Sequence, residues 1–432
     1  MHVGFYLNTT HLASWDWSDV LQARTPLSGT DGTVLRVVHT LATDTSIEVT
    51  LLTTVEGTSP SATPTTQVVV RNLTEAVHHA CTHQLDTLVF PNAKRPDVID
   101  GVHQAEQLHQ SCVAWCHNGP WRDMAQLYSN SDAVERVLCV SHRQADLFRD
   151  KKVFSKIEVV PNGICINQFP PKIEDAQSEL TACYVGALTP SQGFHILAES
   201  WPQVRSSFPN AQLIVVGSPQ LYNRNATLGP LGVANPEYEK SRLIPYLGSS
   251  QEKAKERHGV VFAGLLPPKQ TWAVMGSSLV GVVNPNTKSG ALETFCVTAI
   301  EMQAMETAVV GGCRRGLRET VRNGETGVLI DVPHQLAPTL CRLFRNPEKT
   351  KKMGKHGRQW VTETYDFSHI AQRWVQILTS ISRDKPPNPP PFSFQRATPK
   401  TLLREGIRQL HKCAGQDNRI SFVDNLIEAT RG

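Results

Sequence analysis

No stretch of the sequence approaches the roughly 18 uninterrupted apolar residues that a bilayer-spanning helix needs, so no such helix is expected. The opening MHVGFYLNTTHLASWDW has no basic leader ahead of an apolar core. No secretory signal is therefore expected there, and the segment reads as a first buried strand. The ten cysteines form no regular ladder, and Cys139, Cys183 and Cys296 lie inside apolar runs. That scatter excludes a disulfide-stapled secreted scaffold and points to a reduced, cytoplasmic protein. A strong charge of either sign is also missing: the net charge is +4 and the isoelectric point about 8.5. Such a balance permits a polyanionic partner without demanding one.

The chemical signatures that are absent narrow the function further. There is no Walker loop, no G-x-S-x-G elbow and no G-x-G-x-x-G between a strand and a helix. Basic residues do not interleave with aromatics, so no nucleic-acid partner is expected. His79 and His83 stand four apart in HHACTH, but no third ligand follows at a recognised spacing, and no metal site is expected. Cys112 and Cys116 read as core thiols. The absence of a short tandem repeat excludes a solenoid.

What the chain does have is ordinary globular material: 432 residues, 40% apolar and 19% charged, enough for two large domains or three small ones. Short β-branched runs alternate with helical patterns, starting with HVGFYL (2–7), IEVTLL (47–52), QVVV (67–70), DTLVF (86–90), CVAWC (112–116), RVLCV (136–140) and IEVV (157–160). After HVGFYL comes a glycine-containing loop, PLSGTDGT (26–33). A helix then carries Val34, Leu35, Val37, Val38 and Leu41 at helical spacing. The pattern restarts with ACYVGAL (182–188), QLIVVGS (212–218), VVFAGL (260–265), SLVGVVN (278–284), TAVVGG (307–312) and TGVLI (326–330). Strand–helix–strand alternation means parallel sheets covered on both faces, and two series mean two α/β units.

Helices are expected at 334–345, 348–362 and 369–381, before the proline-rich RDKPPNPPPF (383–392) breaks any regular element. Beyond it, TPKTLLREGIRQLHKC (398–413) puts Leu403, Ile407 and Leu410 on one helical face and most basic residues elsewhere. Such a helix can lie on an anionic membrane surface, or pack on its own protein or a partner. The expected division is 1–171, 172–368, a returning helix at 369–382, and a proline-rich linker with a basic tail over 383–432.

Ligands of open parallel sheets bind where strands end and loops present N–H groups. The most informative such segment is SGALETFCVTAIEMQAMETAVVGG (289–312). Glu293 and Glu301 are eight apart, so on one continuous helix both carboxylates would face one side. The N–H groups at 295–297 would open that helix toward a phosphate or sugar hydroxyl.

Six segments in order resemble the retaining, nucleotide-sugar-dependent glycosyltransferases of family 4, which have the GT-B fold. They are VERVLCVSHRQADLF (134–148), KIEVVPNGICINQF (156–169), ACYVGALTPSQGFHILAESW (182–201), QLIVVGS with VVFAGLLPP, the run from Glu293 to Ile330, and TYDFSHIAQRW (364–374). The resemblance implies two Rossmann-like doubly wound parallel-sheet domains facing across a cleft, with a C-terminal helix crossing back to the first. It implies that Glu301 binds the nucleotide ribose and Glu293 the donor sugar, with Phe295, Cys296 and Val297 near the sugar and phosphates. Gly29 and Gly32 match a loop that closes on the diphosphate or acceptor, and His117 a histidine near the anomeric carbon. Gly186 matches a kept glycine of the donor loop. The co-substrate would be a nucleoside-diphosphate sugar, with no cofactor and no metal, and the acceptor a glycan or glycolipid.

One departure stands out. The family's arginine and lysine that clamp the donor diphosphate are replaced by Ala187 and Gln192. Lys288 or Lys269, each near a strand end, is the candidate substitute. Loss of the clamp leaves open an alternative, a non-catalytic subunit that binds sugar nucleotides or glycans. Thr294 and Cys296 also replace the usual glycines.

Overall fold

The computed structural model describes residues 1–413 apart from 13, 59, 60, 62, 120, 171–179, 222, 224 and 288–292. Its contacts divide the chain into two units. Unit 1 comprises 1–18, 33–162 and 368 onward; unit 2 comprises 19–32 and 163–367.

Unit 1 is built on β1 (His2–Leu7), β2 (Glu48–Thr53), β3 (Thr66–Val69), β4 (Thr87–Pro91), β5 (Cys112–Cys116), β6 (Val134–Cys139) and β7 (Ile157–Val159). They form one parallel sheet in the order β3-β2-β1-β4-β5-β6-β7. The apolar runs explain why: a strand with helices on both faces has no polar side, and no residue of CVAWC exceeds 1% exposure. The first long helix, α1 (Gly29–Asp44), begins earlier than its apolar spacing suggested. The Ser28 hydroxyl accepts the Asp31 N–H at 3.1 Å and donates to its carboxylate at 2.7 Å. That reciprocal cap draws Gly29 and Gly32 out of a loop and into the first turn. Helices α2 (Leu73–Thr82), α3 (Pro96–Leu108) and α4 (Arg122–Asn130) complete the alternation.

Unit 2 repeats the plan with β8 (Thr181–Val185), α5 (Phe194–Ser207), β9 (Gln212–Val216), β10 (Val260–Gly264), α6 (Pro268–Ser277), β11 (Val280–Val283), α7 (Val297–Ala304), β12 (Ala308–Gly312) and β13 (Gly327–Ile330). The order is β10-β9-β8-β11-β12-β13, again all parallel. Neighbours β8 and β11 are the point where the winding reverses, the place where such sheets open to a ligand. Helices α8 (Leu336–Arg345) and α9 (Pro347–Tyr365) close the unit.

With α10 (Phe367–Ser382) the chain returns to unit 1 from Ser368. Trp374 is fully buried there, its ring 4.6 Å from Trp115 and 5.6 Å from Phe5. The proline-rich segment then lies against unit 1 rather than standing off as a linker. Arg149, itself fully buried, donates to the carbonyls of Pro390 and Pro391 at 3.3 and 3.0 Å and to Glu405 at 3.3 Å. Arg136 reaches the carbonyl of Lys385, and Arg143 that of Arg396. The last described helix, α11 (Pro399–Cys413), docks through Thr401 and through Arg404, which pairs with the buried Asp150.

Candidate functional site

At the C-terminal edge of the unit 2 sheet, three segments come into van der Waals range. A Cβ on Gly193, whose φ is +75°, would sit 3.0 Å from the Asn286 nitrogen, and one on Gly312 would sit 2.6 Å from the Asn286 carbonyl oxygen. The loops after β8, β11 and β12 therefore meet at the reversal point, and only glycine permits the approach. Gly186, just past β8, donates its N–H to the Val216 carbonyl at 3.0 Å. Gly217 leans on it so closely that an added Cβ would lie 2.0 Å from the Gly186 oxygen.

Glu293 and Glu301 do not share a helix. Cys296 has extended backbone (φ −90°, ψ 93°) and caps α7, which starts at Val297. The segment ahead of it is tied to Gly316, whose N–H donates to the Glu293 carbonyl at 3.0 Å, with its missing side chain leaving room for Thr294. The open N–H groups of the first turn thus begin at Val297, two residues later than the spacing alone implied. Phe295 and Cys296 are buried, and Phe295 packs edge-on to Tyr365 at 5.3 Å. Burial and the neighbouring Glu293 push the Cys296 thiol well up, so it is no nucleophile.

Glu293 is half-buried, and burial pushes its carboxyl up to about 7. Asn284 opposes this by donating its Nδ2 to Oε2 at 3.4 Å, but burial wins. At neutral pH the group is therefore divided between acid and carboxylate, able both to donate and to accept. Glu301, the fifth residue of α7, accepts from the Trp272 indole N–H at 3.4 Å. Trp272 in turn packs on Phe169 at 4.2 Å.

Sequence reasoning passed over Asn284. It follows β11, is 3% exposed, and carries a φ of +27°, a region a non-glycine residue seldom occupies. Its side-chain oxygen is buried with no hydrogen-bond partner among the described residues. The available signals were the Asn-Pro pair at a strand end and asparagine's tolerance of positive φ.

The remaining candidates fall as follows. Ala187 is buried, and Gln192 ends a short turn whose carbonyl accepts from the Tyr184 hydroxyl at 3.0 Å. Lys269 is exposed on the first turn of α6, its N–H directed at the Ala23 carbonyl at 3.4 Å. Lys288 lies outside the described residues. In unit 1, His117 follows β5, buried with its ring 4.4 Å from Trp115. Gly29 and Gly32 occupy the first turn of α1, as above. His79 and His83 stack at 4.1 Å, and no group of three potential metal ligands occurs among the described residues.

Against solved structures, the chain superimposes on Anabaena Alr3699/HepE in complex with UDP-glucose with a TM-score of 0.64 at 16% identity, covering 88% of this chain and all of that one. A sucrose-phosphate synthase from Thermosynechococcus elongatus gives 0.64 at 18% identity, over 89% of this chain and all of that one. The fold is GT-B. The family model described as "Glycosyl transferases group 1" matches residues 166–360, a range that begins before β8 and ends within α9, so it spans the GT-B unit carrying Glu293 and Glu301. A putative glycosyltransferase, YtcC, of Bacillus subtilis is 24% identical over 61% of this chain and 65% of its own length. A lipopolysaccharide 1,2-N-acetylglucosaminetransferase of Salmonella typhimurium is 23% identical over 57% of this chain and 62% of its own. A GDP-mannose-dependent mannosyltransferase of Mycolicibacterium smegmatis is 23% identical over 52% and 56%. The matched region thus spans under two thirds of these relatives' lengths.

Proposed function

We propose that the protein is a retaining glycosyltransferase that moves a sugar from a nucleoside-diphosphate sugar to a hydroxyl acceptor in surface-polysaccharide or glycoconjugate biosynthesis. The observation that carries the reading is Glu293, held by Asn284 past β11 at the reversal point of the unit 2 sheet, with Glu301 on the fifth residue of α7, the helix that follows it. A carboxylate on the fifth residue of a helix suits the vicinal diol of a ribose. The positive end of that helix suits the diphosphate, and a half-protonated Glu293 suits sugar hydroxyls that both donate and accept.

Departure of the diphosphate builds positive charge on the sugar and negative charge on the leaving group. N–H groups at the helix end stabilise the latter without needing a metal or cofactor. In front-face retention the leaving phosphate takes the acceptor's proton, so no protein nucleophile is needed, and the resemblance alone makes His117 the candidate for the sugar end of the donor. Phe295, Cys296, Val297 and Gly186 would line the donor through their backbones, and Gly29 and Gly32 would meet the diphosphate or acceptor.

A second reading rests on Ala187 and Gln192, which supply no cation where the family's clamp would stand. On that reading the chain binds a sugar nucleotide or glycan without turning it over. A panel of UDP-, GDP-, ADP- and dTDP-sugars separates the two, since the solved neighbour binds UDP-glucose and one relative uses GDP-mannose. A donor that raises the melting temperature and loses nucleotide slowly, with release abolished in Glu301→Ala, supports the transferase. Binding with no release in the presence of glycan and glycolipid acceptors favours the subunit. Failure of every donor to bind a folded sample refutes the transferase and the sugar-nucleotide subunit, and failure of glycans to bind as well refutes the second reading whole.

A further inference from the structure

The C-terminal helix of unit 1 is docked inside out. Its buried positions are Thr401 and Arg404, at 8% and 7% exposure, and Glu405 and Arg408 turn toward the same side. Arg404 pairs with the buried Asp150; Glu405 accepts from Arg149 at 3.3 Å and from Arg408 at 3.0 Å. The Arg408 guanidinium also lies 5.0 Å above the Phe154 ring. The polar stripe is thereby consumed by the protein, and the leucines face away from it.

Eight large hydrophobic side chains are exposed among the described residues, and four of them lie here: Phe394 at 81%, Leu402 at 46%, Leu403 at 45% and Leu410 at 69%. Scattered single leucines on a surface need no explanation, but half of all such side chains within seventeen residues do. The same segment, residues 383–413, carries seven basic and two acidic residues, a net +5 where the whole chain has +4. Arg383, Lys385 and Lys400 of that segment are exposed.

We propose that this face seats on an anionic lipid surface. The apolar side chains would enter the headgroup boundary while the exposed lysines and arginine meet lipid phosphates, the arrangement of an interfacial helix. Charge selects this occupant. A second copy of the chain would bring the same exposed Arg383, Lys385 and Lys400 against themselves, and a neutral apolar partner would offer these cations no opposite charge. The inference goes beyond the proposed activity, and vesicle binding is read without any turnover.

The test uses the full chain with sedimented vesicles of phosphatidylcholine, with and without 30% phosphatidylglycerol. The expected result is binding to the anionic vesicles that falls at least tenfold between low and high salt. It should fall at least tenfold again in Leu403→Asp/Leu410→Asp, whose substitutions are exposed and leave the melting temperature unchanged. Lys385→Glu/Lys400→Glu should abolish the preference for anionic lipid. Equal binding to neutral vesicles, or no binding to either, overturns the proposal. So does a concentration-dependent dimer that the leucine variant dissolves, since the face then belongs to a second copy. A lack of donor turnover in the same sample bears on the proposed function alone.

Discussion

Glu293 should make the protein less stable, and the pH at which it does so follows from its surroundings. Its ordinary carboxyl value is 4.5, and in the fold it is pushed up to about 7. Below about pH 4 both folded and unfolded chains hold the proton, and the residue has no effect. As pH rises from 4.5 toward 7 the unfolded chain loses the proton while the folded one retains it, so stability falls. Above pH 7 both are ionised, and the whole cost of holding a carboxylate in a half-buried site is felt. At 1.36 kcal/mol per pH unit the displacement is about 3 kcal/mol, and partial exposure to solvent brings it to about 2. Glu293→Gln keeps an acceptor for Asn284 and removes the charge. It should match the wild type at pH 4 and exceed it at pH 8 by about 2 kcal/mol, or about 4–8 °C in the melting of a 150–250-residue unit. Denaturation at stepped pH, followed on both proteins, measures the difference directly. A difference that stays flat with pH, or a variant less stable than wild type at pH 8, would refute the reasoning. Loss of nucleotide release in the same variant would mark the cost as one retained for function.

Asn284→Gly relieves a positive φ and removes the amide that donates to Glu293. The pH window in which Glu293 depresses stability should therefore move upward, with the fold intact by circular dichroism. Gly217→Ala places a Cβ 2.0 Å from the Gly186 oxygen at a φ of +137°, and unit 2 should lose more than about 2 kcal/mol in urea denaturation. Asp150→Ala leaves Arg404 buried without its carboxylate. A cost of about 3–5 kcal/mol is expected, with proteolysis appearing first within 383–413. Glu301→Ala should weaken nucleoside-diphosphate binding at least tenfold by calorimetry while shifting stability by less than about 1 kcal/mol.

The sheets were legible because a strand buried on both faces must be apolar throughout, and CVAWC or QLIVV admits no other reading. Their ends drifted by up to three residues, since the last hydrogen bond of a strand leaves no mark on composition. The start of α1 was missed because apolar spacing begins at Val34, while the helix is nucleated by a Ser28–Asp31 cap that lacks an apolar residue. Glu293 was misplaced for a related reason. Spacing of eight is compatible with a helix, but what holds Glu293 off α7 is Gly316, more than twenty residues later, and local pattern carries no trace of it. Asn284 was invisible because its meaning lies in a dihedral angle and a buried oxygen. The tail was legible as an amphipathic helix but not in its orientation. That depends on Asp150 and Arg149, two unremarkable charges in the first half of the chain.

Unit 1 is assembled from three stretches of chain, with all but a short piece of unit 2 lying between the last two, and that has a consequence during synthesis. Its sheet is finished at Val159, but Trp374, which covers Trp115 and Phe5, emerges more than two hundred residues later. At about 5–20 residues per second a ribosome needs roughly 10–40 s to cross that interval. Throughout it the nascent sheet stands with one aromatic face unroofed while unit 2 has everything but its own completion to wait for. The second-born unit is thus the first able to mature. The first-born depends on helpers, or on its own reluctance to aggregate, until the chain comes home.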